Sequence, residues 1–110
     1  MSVYLIADIK VTDGAWVPGY AAEVHKIIER HGGRYLSRSG NIRTLEGPPN
    51  ESTLVALITF PSMDALERFA ADPEYAPHGK ARQAGSISKF VVIDDTDIAG
   101  AIPYLKAGQT

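Results

Sequence analysis

Between Thr53 and Phe60 the chain reads Thr-Leu-Val-Ala-Leu-Ile-Thr-Phe, its most apolar segment. Pleated as a strand, it puts Leu54, Ala56, Ile58 and Phe60 on one side and Val55 and Leu57, between threonines, on the other. A strand that is oily on both faces belongs inside a sheet, with a cover over each face. The chain has 110 residues, 45% of them hydrophobic and 22% charged, which suits one globular domain with one modest core and argues against disorder. Lys and Arg total 11 against 13 Asp and Glu, a net charge of −2. That balance lacks the basic surface of a bulk phosphate-backbone binder. Cysteine is absent, which excludes disulfides, thiolate metal sites, iron–sulfur clusters and cysteine nucleophiles together. No apolar run approaches the ~20 residues that span a bilayer, so no membrane association is expected. The start, Met1-Ser2-Val3-Tyr4, lacks the basic region and cleavage site of a signal peptide. A cytoplasmic location is the expectation.

The rest of the chain supplies partners for that strand. Val3 to Val11 alternates with period 2, its odd positions Val3, Leu5, Ala7, Ile9 and Val11 all apolar. A helix is predicted from about Trp16 to His31, with Pro18 in its first turn and a buried stripe of Val17, Tyr20, Val24, Ile27, Ile28 and His31. Gly32-Gly33 ends it, one glycine serving as a left-handed cap. Arg34 to Glu46 reads as a long, polar strand with a bulge near Gly40-Asn41, and Gly47-Pro48-Pro49-Asn50 as the turn back. Ser62 caps a second helix with a stripe of Met63, Leu66, Phe69 and Ala70. Asp72-Pro73 starts a further helical stretch to about Ala84, which Pro77 and Gly79 should interrupt. Ser88 to Asp94 reads as the last strand. The order β-α-β-β-α-β is the ferredoxin-like arrangement of an α+β fold, a four-stranded antiparallel sheet with its first and third strands central. Arg34, Arg38 and Arg43 then fall on an edge strand, where charge opposes strand addition. Residues 1–94 form the expected domain and residues 95–110 a C-terminal tail.

Helices on one face leave the other face of such a sheet bare. Tyr4, Ile6, Val55 and Leu57 would extend across it, joined from the last strand by Val91 and Ile93 or, on the opposite alternation, by Phe90 and Val92. Covering about 500 Å² of apolar surface contributes about 12 kcal/mol before the costs of association. A second copy, sheet against sheet, is the expected cover; the alternative is a tail carrying Ile98, Ile102, Tyr104 and Leu105 folded back on its own sheet.

Several short segments have a family likeness: Tyr4-Leu5-Ile6, Tyr20, Gly32-Gly33-Arg34-Tyr35, Arg38, Leu45-Glu46-Gly47, Phe60-Pro61-Ser62, Asp72-Pro73-Glu74-Tyr75 and Arg82-Gln83. In register over Val3 to Asp94, they resemble an uncharacterised domain-of-unknown-function family of the dimeric α+β barrel superfamily. The resemblance implies a homodimer whose two sheets close a barrel. It also implies a small-molecule pocket between helices and sheet. Relatives in that superfamily include cofactor-independent monooxygenases, muconolactone isomerases and haem-handling enzymes. The family itself has no established activity, and a fold this versatile does not decide function.

Candidate chemistry concentrates in a few side chains. Tyr75, His78 and Arg82 are spaced to share one face of a continuous helix, where phenol, imidazole and guanidinium could polarise an anionic or carbonyl ligand as a catalytic set. Arg38, Tyr20, His25 and Glu46 are candidate ligand-binding residues. Arg38 and Glu46 would sit about 26 Å apart along one strand, too far to pair within a protomer unless the strand folds at Gly40. His31 has a structural reason to stand at a helix C-terminus, where its charged form meets the negative end of the dipole. Asp94-Asp95-Thr96-Asp97 lacks the 12-residue calcium pattern and reads as a solvated strand end. The histidines have no zinc spacing, and no phosphate-binding glycine loop or nucleophile elbow is present. No metal and no cofactor is expected. RNA-recognition domains share this topology but carry rings in their third strand, and Leu54-Val55-Ala56-Leu57-Ile58 has none before Phe60. The expected function is to bind or transform a small acidic or aromatic molecule, by chemistry of the cofactor-independent oxygenase or isomerase kind if it is an enzyme; a non-catalytic ligand-binding or scaffolding homodimer is the alternative.

Overall fold

The structure is a computed structural model, and it describes residues 1–101. Strands β1 (Val3–Val11), β2 (Arg34–Ser39), β3 (Leu54–Phe60) and β4 (Ser86–Asp94) alternate with helices α1 (Val17–Arg30), α2 (Met63–Ala70) and α3 (Ala76–Ala84) in the order β1-α1-β2-β3-α2-α3-β4. The four-stranded sheet runs β2-β3-β1-β4, antiparallel throughout, so the first and third strands are central. This is the α+β ferredoxin-like fold. Val3, Leu5, Ala7 and Ile9 of β1 and Ala56, Ile58 and Phe60 of β3 point towards the helices and are buried. Val24, Ile27 and Ile28 of α1 and Ala65 and Phe69 of α2 close over them.

Local chemistry sets the element ends. Pro18 lies in the first turn of α1, where no N–H is needed. Gly32, at φ 80°, closes α1: its N–H donates to the Glu29 carbonyl at 3.0 Å and that of Gly33 to Ile28 at 2.9 Å. The Ser62 hydroxyl accepts from the Ala65 N–H at 3.1 Å and starts α2.

The structure differs from the sequence reading in several places. β2 stops at Ser39 and does not reach Glu46; its register shift lies between Tyr35 and Ser37. Beyond it, N–H groups of Asn41, Asn50 and Ser52 donate to the side chains of Ser39, Thr44 and Asn50. These local bonds compete with a strand ladder, and Pro48 and Pro49 have no N–H to offer one. Arg43 and Glu46 therefore lie on an exposed loop. α3 runs unbroken through Pro77, which sits in its first turn, and Gly79, against which Tyr75 packs. On α2 the buried residues are Ala65 and Phe69, whereas Met63 is 41% exposed. β4 begins two residues early, at Ser86.

The opposite face of the sheet carries Tyr4 and Ile6 of β1, Val55 and Leu57 of β3, and Val91 and Ile93 of β4, paired across strands as Ile6 with Leu57 and Val91 and Tyr4 with Ile93. No helix among the described residues covers it. Val91 and Ile93 are 41% and 56% exposed, and Ile87 and Leu36 extend the patch to both edges. Ile98 is exposed, and Ile102, Tyr104 and Leu105 lie outside the described residues.

One polar hub ties the end of α1 to the turn before α3. The Asp72 carboxylate accepts from His31 Nε2 at 2.8 Å, from Arg30 at 3.2 Å and from the Glu74 N–H at 2.9 Å. The His31 bond first, then the Glu74 N–H and the Arg30 charge, hold its carboxyl below the usual aspartate range. A depressed carboxyl contributes stability that is complete above about pH 4 and is lost as pH falls through the lowered value. Asp72→Asn keeps an acceptor for the Glu74 N–H and removes the charge. Between about pH 5 and about pH 2 the native chain should lose more melting temperature than Asp72→Asn. Equal losses by calorimetry would show that the hub adds nothing to acid stability.

Candidate functional site

At the middle of the helix-facing side, Ala7 stands directly opposite Ala56 across the β1–β3 ladder. The neighbouring inward positions hold larger side chains: Leu5 with Ile58, and Ile9 with Leu54. Two methyl groups in place of two branched side chains leave a notch, and α1 bridges it with another small residue, Ala21. The result is a cavity of about 150 Å³ between α1 and the sheet. Its wall is almost wholly apolar, completed by Trp16 before α1, Tyr20 and Ile28 on α1, Tyr35 and Arg38 on β2, Phe69 on α2 and Phe90 on β4.

Aromatic contacts fix the wall. Trp16 meets Tyr20 edge-on at 5.2 Å, Tyr20 meets Tyr75 at 6.2 Å, and Tyr75 stacks at 4.5 Å on Phe69, which leans on Phe60. Trp16 is pinned by its indole N–H, which donates to the Gly85 carbonyl at 3.0 Å. The polar groups are few. The Tyr20 and Tyr75 hydroxyls share a hydrogen bond of 3.1 Å. Burial, and then the neighbouring Tyr75, push the Tyr20 phenol up, so at neutral pH it keeps its proton. Burial likewise raises Tyr35, with Arg38 pulling the other way. Arg38 lies with Cζ 4.3 Å from the Tyr35 ring centroid and is the only formal charge in the cavity wall. The wall thus offers protonated phenols and a guanidinium, groups that donate hydrogen bonds to an oxygen or an anion.

Of the side chains singled out in the sequence, Tyr20 and Arg38 line the cavity. Tyr75 stands at the N-cap of α3, ahead of His78 and Arg82 on the helix itself: Tyr75 bonds Tyr20, His78 meets the Tyr20 ring edge-on at 6.3 Å, and Arg82 lies over Phe90 at 4.1 Å. None of the three forms part of the cavity wall; they back the residues that do. His25 turns to its own helix, Nδ1 lying 3.3 Å from the Ala21 carbonyl. Glu46, on the exposed loop, makes no ion pair with Arg38. The carboxylates after β4 are engaged locally: Asp94 accepts from the Thr96 N–H, Asp95 from the Tyr4 hydroxyl and Asp97 from the Ala99 N–H. The sequence reading missed Tyr35, Phe90 and above all the alanine pair; its signal was two small residues at inward positions of adjacent central strands.

The model of a domain of unknown function, DUF1330, matches residues 2–96. The chain belongs to that family. No curated protein matches the DUF1330 chain. Among solved structures it is similar to a protein of unknown function from Rhodopseudomonas palustris, at 19% identity and a TM-score of 0.75 over 87% of this chain and 83% of that one. It is also similar to SnoaB, a cofactor-independent oxygenase from Streptomyces nogalater, at 21% identity and a TM-score of 0.62 over 87% and 94%. A dimeric protein of unknown function and ferredoxin-like fold from Bacteroides fragilis aligns at 18% identity and a TM-score of 0.51, over 84% and 95%. These likenesses establish the fold. No described helix is long and apolar enough to cross a membrane.

The Trp16 wall rests on Gly85. A Cβ there would lie 2.3 Å from Trp16 Cδ1 and 2.8 Å from the Asp13 carbonyl oxygen. Gly85→Ala should therefore push the indole out and cost about 1–3 kcal/mol. Trp16 is the chain's single tryptophan, so urea unfolding followed by its fluorescence reads both effects. An unchanged midpoint with unchanged emission would contradict the wall as described.

Proposed function

We propose that the protein is a homodimer that binds a small aromatic acid in the cavity between α1 and the sheet. The observation that carries this reading is the cavity itself, about 150 Å³ of apolar space with a single guanidinium, Arg38, in its wall. A cavity of that size suits one aromatic ring, as apolar cavities of about 150 Å³ take up benzene. Arg38 supplies a bidentate partner for a carboxylate, and the hydrogen-bonded Tyr20–Tyr75 pair of hydroxyls has one hydrogen left to donate. His78 and Arg82 act on the ligand indirectly, by holding Tyr20 and Phe90. The residues facing the ligand donate hydrogen bonds, which favours binding and polarisation of an oxygen over abstraction of a proton.

The dimer rests on a separate observation, the bare apolar face built from Tyr4, Ile6, Val55, Leu57, Val91 and Ile93. A contiguous patch of that kind marks an association surface. The dimeric relative from Bacteroides fragilis and the expected barrel superfamily are in keeping with a second copy as the cover. In this reading residues 1–94 are the dimerising domain and residues 95–110 an appended tail.

Two experiments follow. Leu57→Asp puts a charge at the middle of the bare face and should convert the dimer to a monomer by light scattering, at a net loss of stability. A native chain that is already monomeric at high concentration would refute the dimer. For the cavity, aromatic carboxylates screened by thermal shift should include one that binds; at 100 times its dissociation constant it adds about 2.7 kcal/mol. Arg38→Gln should weaken that compound about tenfold or more, equivalent to about 1.4 kcal/mol. Binding that is unaffected by both Arg38→Gln and Tyr20→Phe would sink the reading, while consumption of the bound compound would turn it from binding to catalysis.

A further inference from the structure

Arg82 is the only charged side chain buried among the described residues, at 6% exposure. Its guanidinium lies on the face of Phe90, Cζ 4.1 Å from the ring centroid. That stacking satisfies none of its five N–H donors. Nε is shut off from solvent with no acceptor, and no described carboxylate pairs with the group. Buried guanidinium groups are ordinarily paired or fully hydrogen-bonded, because the uncompensated charge is costly to hold away from water. Tyr20 does not compensate it, since burial keeps its phenol protonated and uncharged.

The surroundings of Arg82 have the form of a binding site. Arg82 lines an open cleft between the end of α3 and the start of β4, together with Gln83, Ser86, Ser88 and Phe90. Ser86 Oγ donates to the Arg82 carbonyl at 2.5 Å and lies 2.5 Å from Ser88 Oγ. Ser86 has one proton, and the carbonyl takes it, so the proton between the two hydroxyls belongs to Ser88. Turning that proton outward, with the two hydroxyl oxygens moving apart from 2.5 Å as their shared bond opens, gives the cleft a second donor beside the guanidinium. Arg82 is absent from the wall of the apolar cavity, and Phe90 borders both spaces. The cleft is therefore a separate site.

We propose that this cleft binds the oxyanion of a small molecule, a carboxylate or a phosphate, with Arg82 as its charge partner and Ser88 as a second donor. The anion supplies acceptors to the terminal guanidinium nitrogens, which no described carboxylate pairs, and Phe90 fixes the plane of the guanidinium so that it presents them to the ligand.

Nuclear magnetic resonance of the full, nitrogen-15-labelled chain tests this directly, because arginine Nε–H groups give their own signals. Acetate and inorganic phosphate are titrated separately, which distinguishes the two sources of the oxyanion. At least one should produce a saturable shift of the Arg82 Nε–H signal, and binding should weaken several-fold in Ser88→Ala. Arg82→Met keeps the packing on Phe90 and should weaken binding about tenfold or more. If Arg82→Met does not fold, the native titration and Ser88→Ala still decide. No saturable shift with either anion, or binding that survives loss of the Arg82 charge, overturns the proposal. Arg38→Gln tests the cavity and not the cleft, so failure of one response with retention of the other identifies which site is wrong.

Discussion

The β1–β3 ladder is the constraint on which the remainder depends. Both strands are central, both are oily towards the helices, and both carry apolar side chains on the reverse. Three short helices cover one side only, and they do so with Val24, Ile27 and Ile28, Ala65 and Phe69 seated on Leu5, Ile58 and Phe60. From that arrangement come two surfaces of different kinds. One is enclosed and imperfectly filled, because Ala7 and Ala56 meet at its centre. The other is apolar, and no element of the described residues covers it. Ligand binding is argued from the first and association from the second, so the two claims stand or fall separately.

Much of this architecture was legible in the residues. The alternation of Val3 to Val11, the double-sided apolarity of Leu54 to Phe60, the Ser62 cap and the Gly32 stop each correspond to an observed element or boundary. These are local signals whose physical cause acts within a few residues. The errors came where side chains outbid the backbone. Residues 40–46 have enough polarity and alternation to suggest a strand, yet in the loop that follows Ser39 the side chains of Ser39, Thr44 and Asn50 take backbone N–H groups. Pro77 and Gly79 looked like breakers, but a proline in the first turn breaks nothing, and Gly79 gives Tyr75 room to lie flat.

The site was only half legible. Of the residues that the sequence singles out, Tyr20 and Arg38 line the cavity, while Tyr75, His78 and Arg82 stand behind it. What spacing along one helix does not contain is which neighbouring element that face meets. Tyr75 and His78 meet Tyr20, and Arg82 meets Phe90, so the three support the cavity wall rather than forming it. The void itself depends on register between two strands more than forty residues apart in sequence, a relation that no short motif records. His31 shows the same limit in milder form: its place at the end of α1 was clear, but its partner, Asp72, is supplied by a distant turn.

The alanine pair also has an evolutionary meaning. Ala7 and Ala56 belong to the most regular part of the sheet, where the backbone is held by ladder bonds on both sides and is indifferent to what projects from it. Enlarging either side chain by a carbon or two would shrink the chamber while leaving strand order and the outer face alone. Descendants of one ancestral scaffold can thus diverge in what they accommodate through exchanges at a pair of positions, without relearning how to fold.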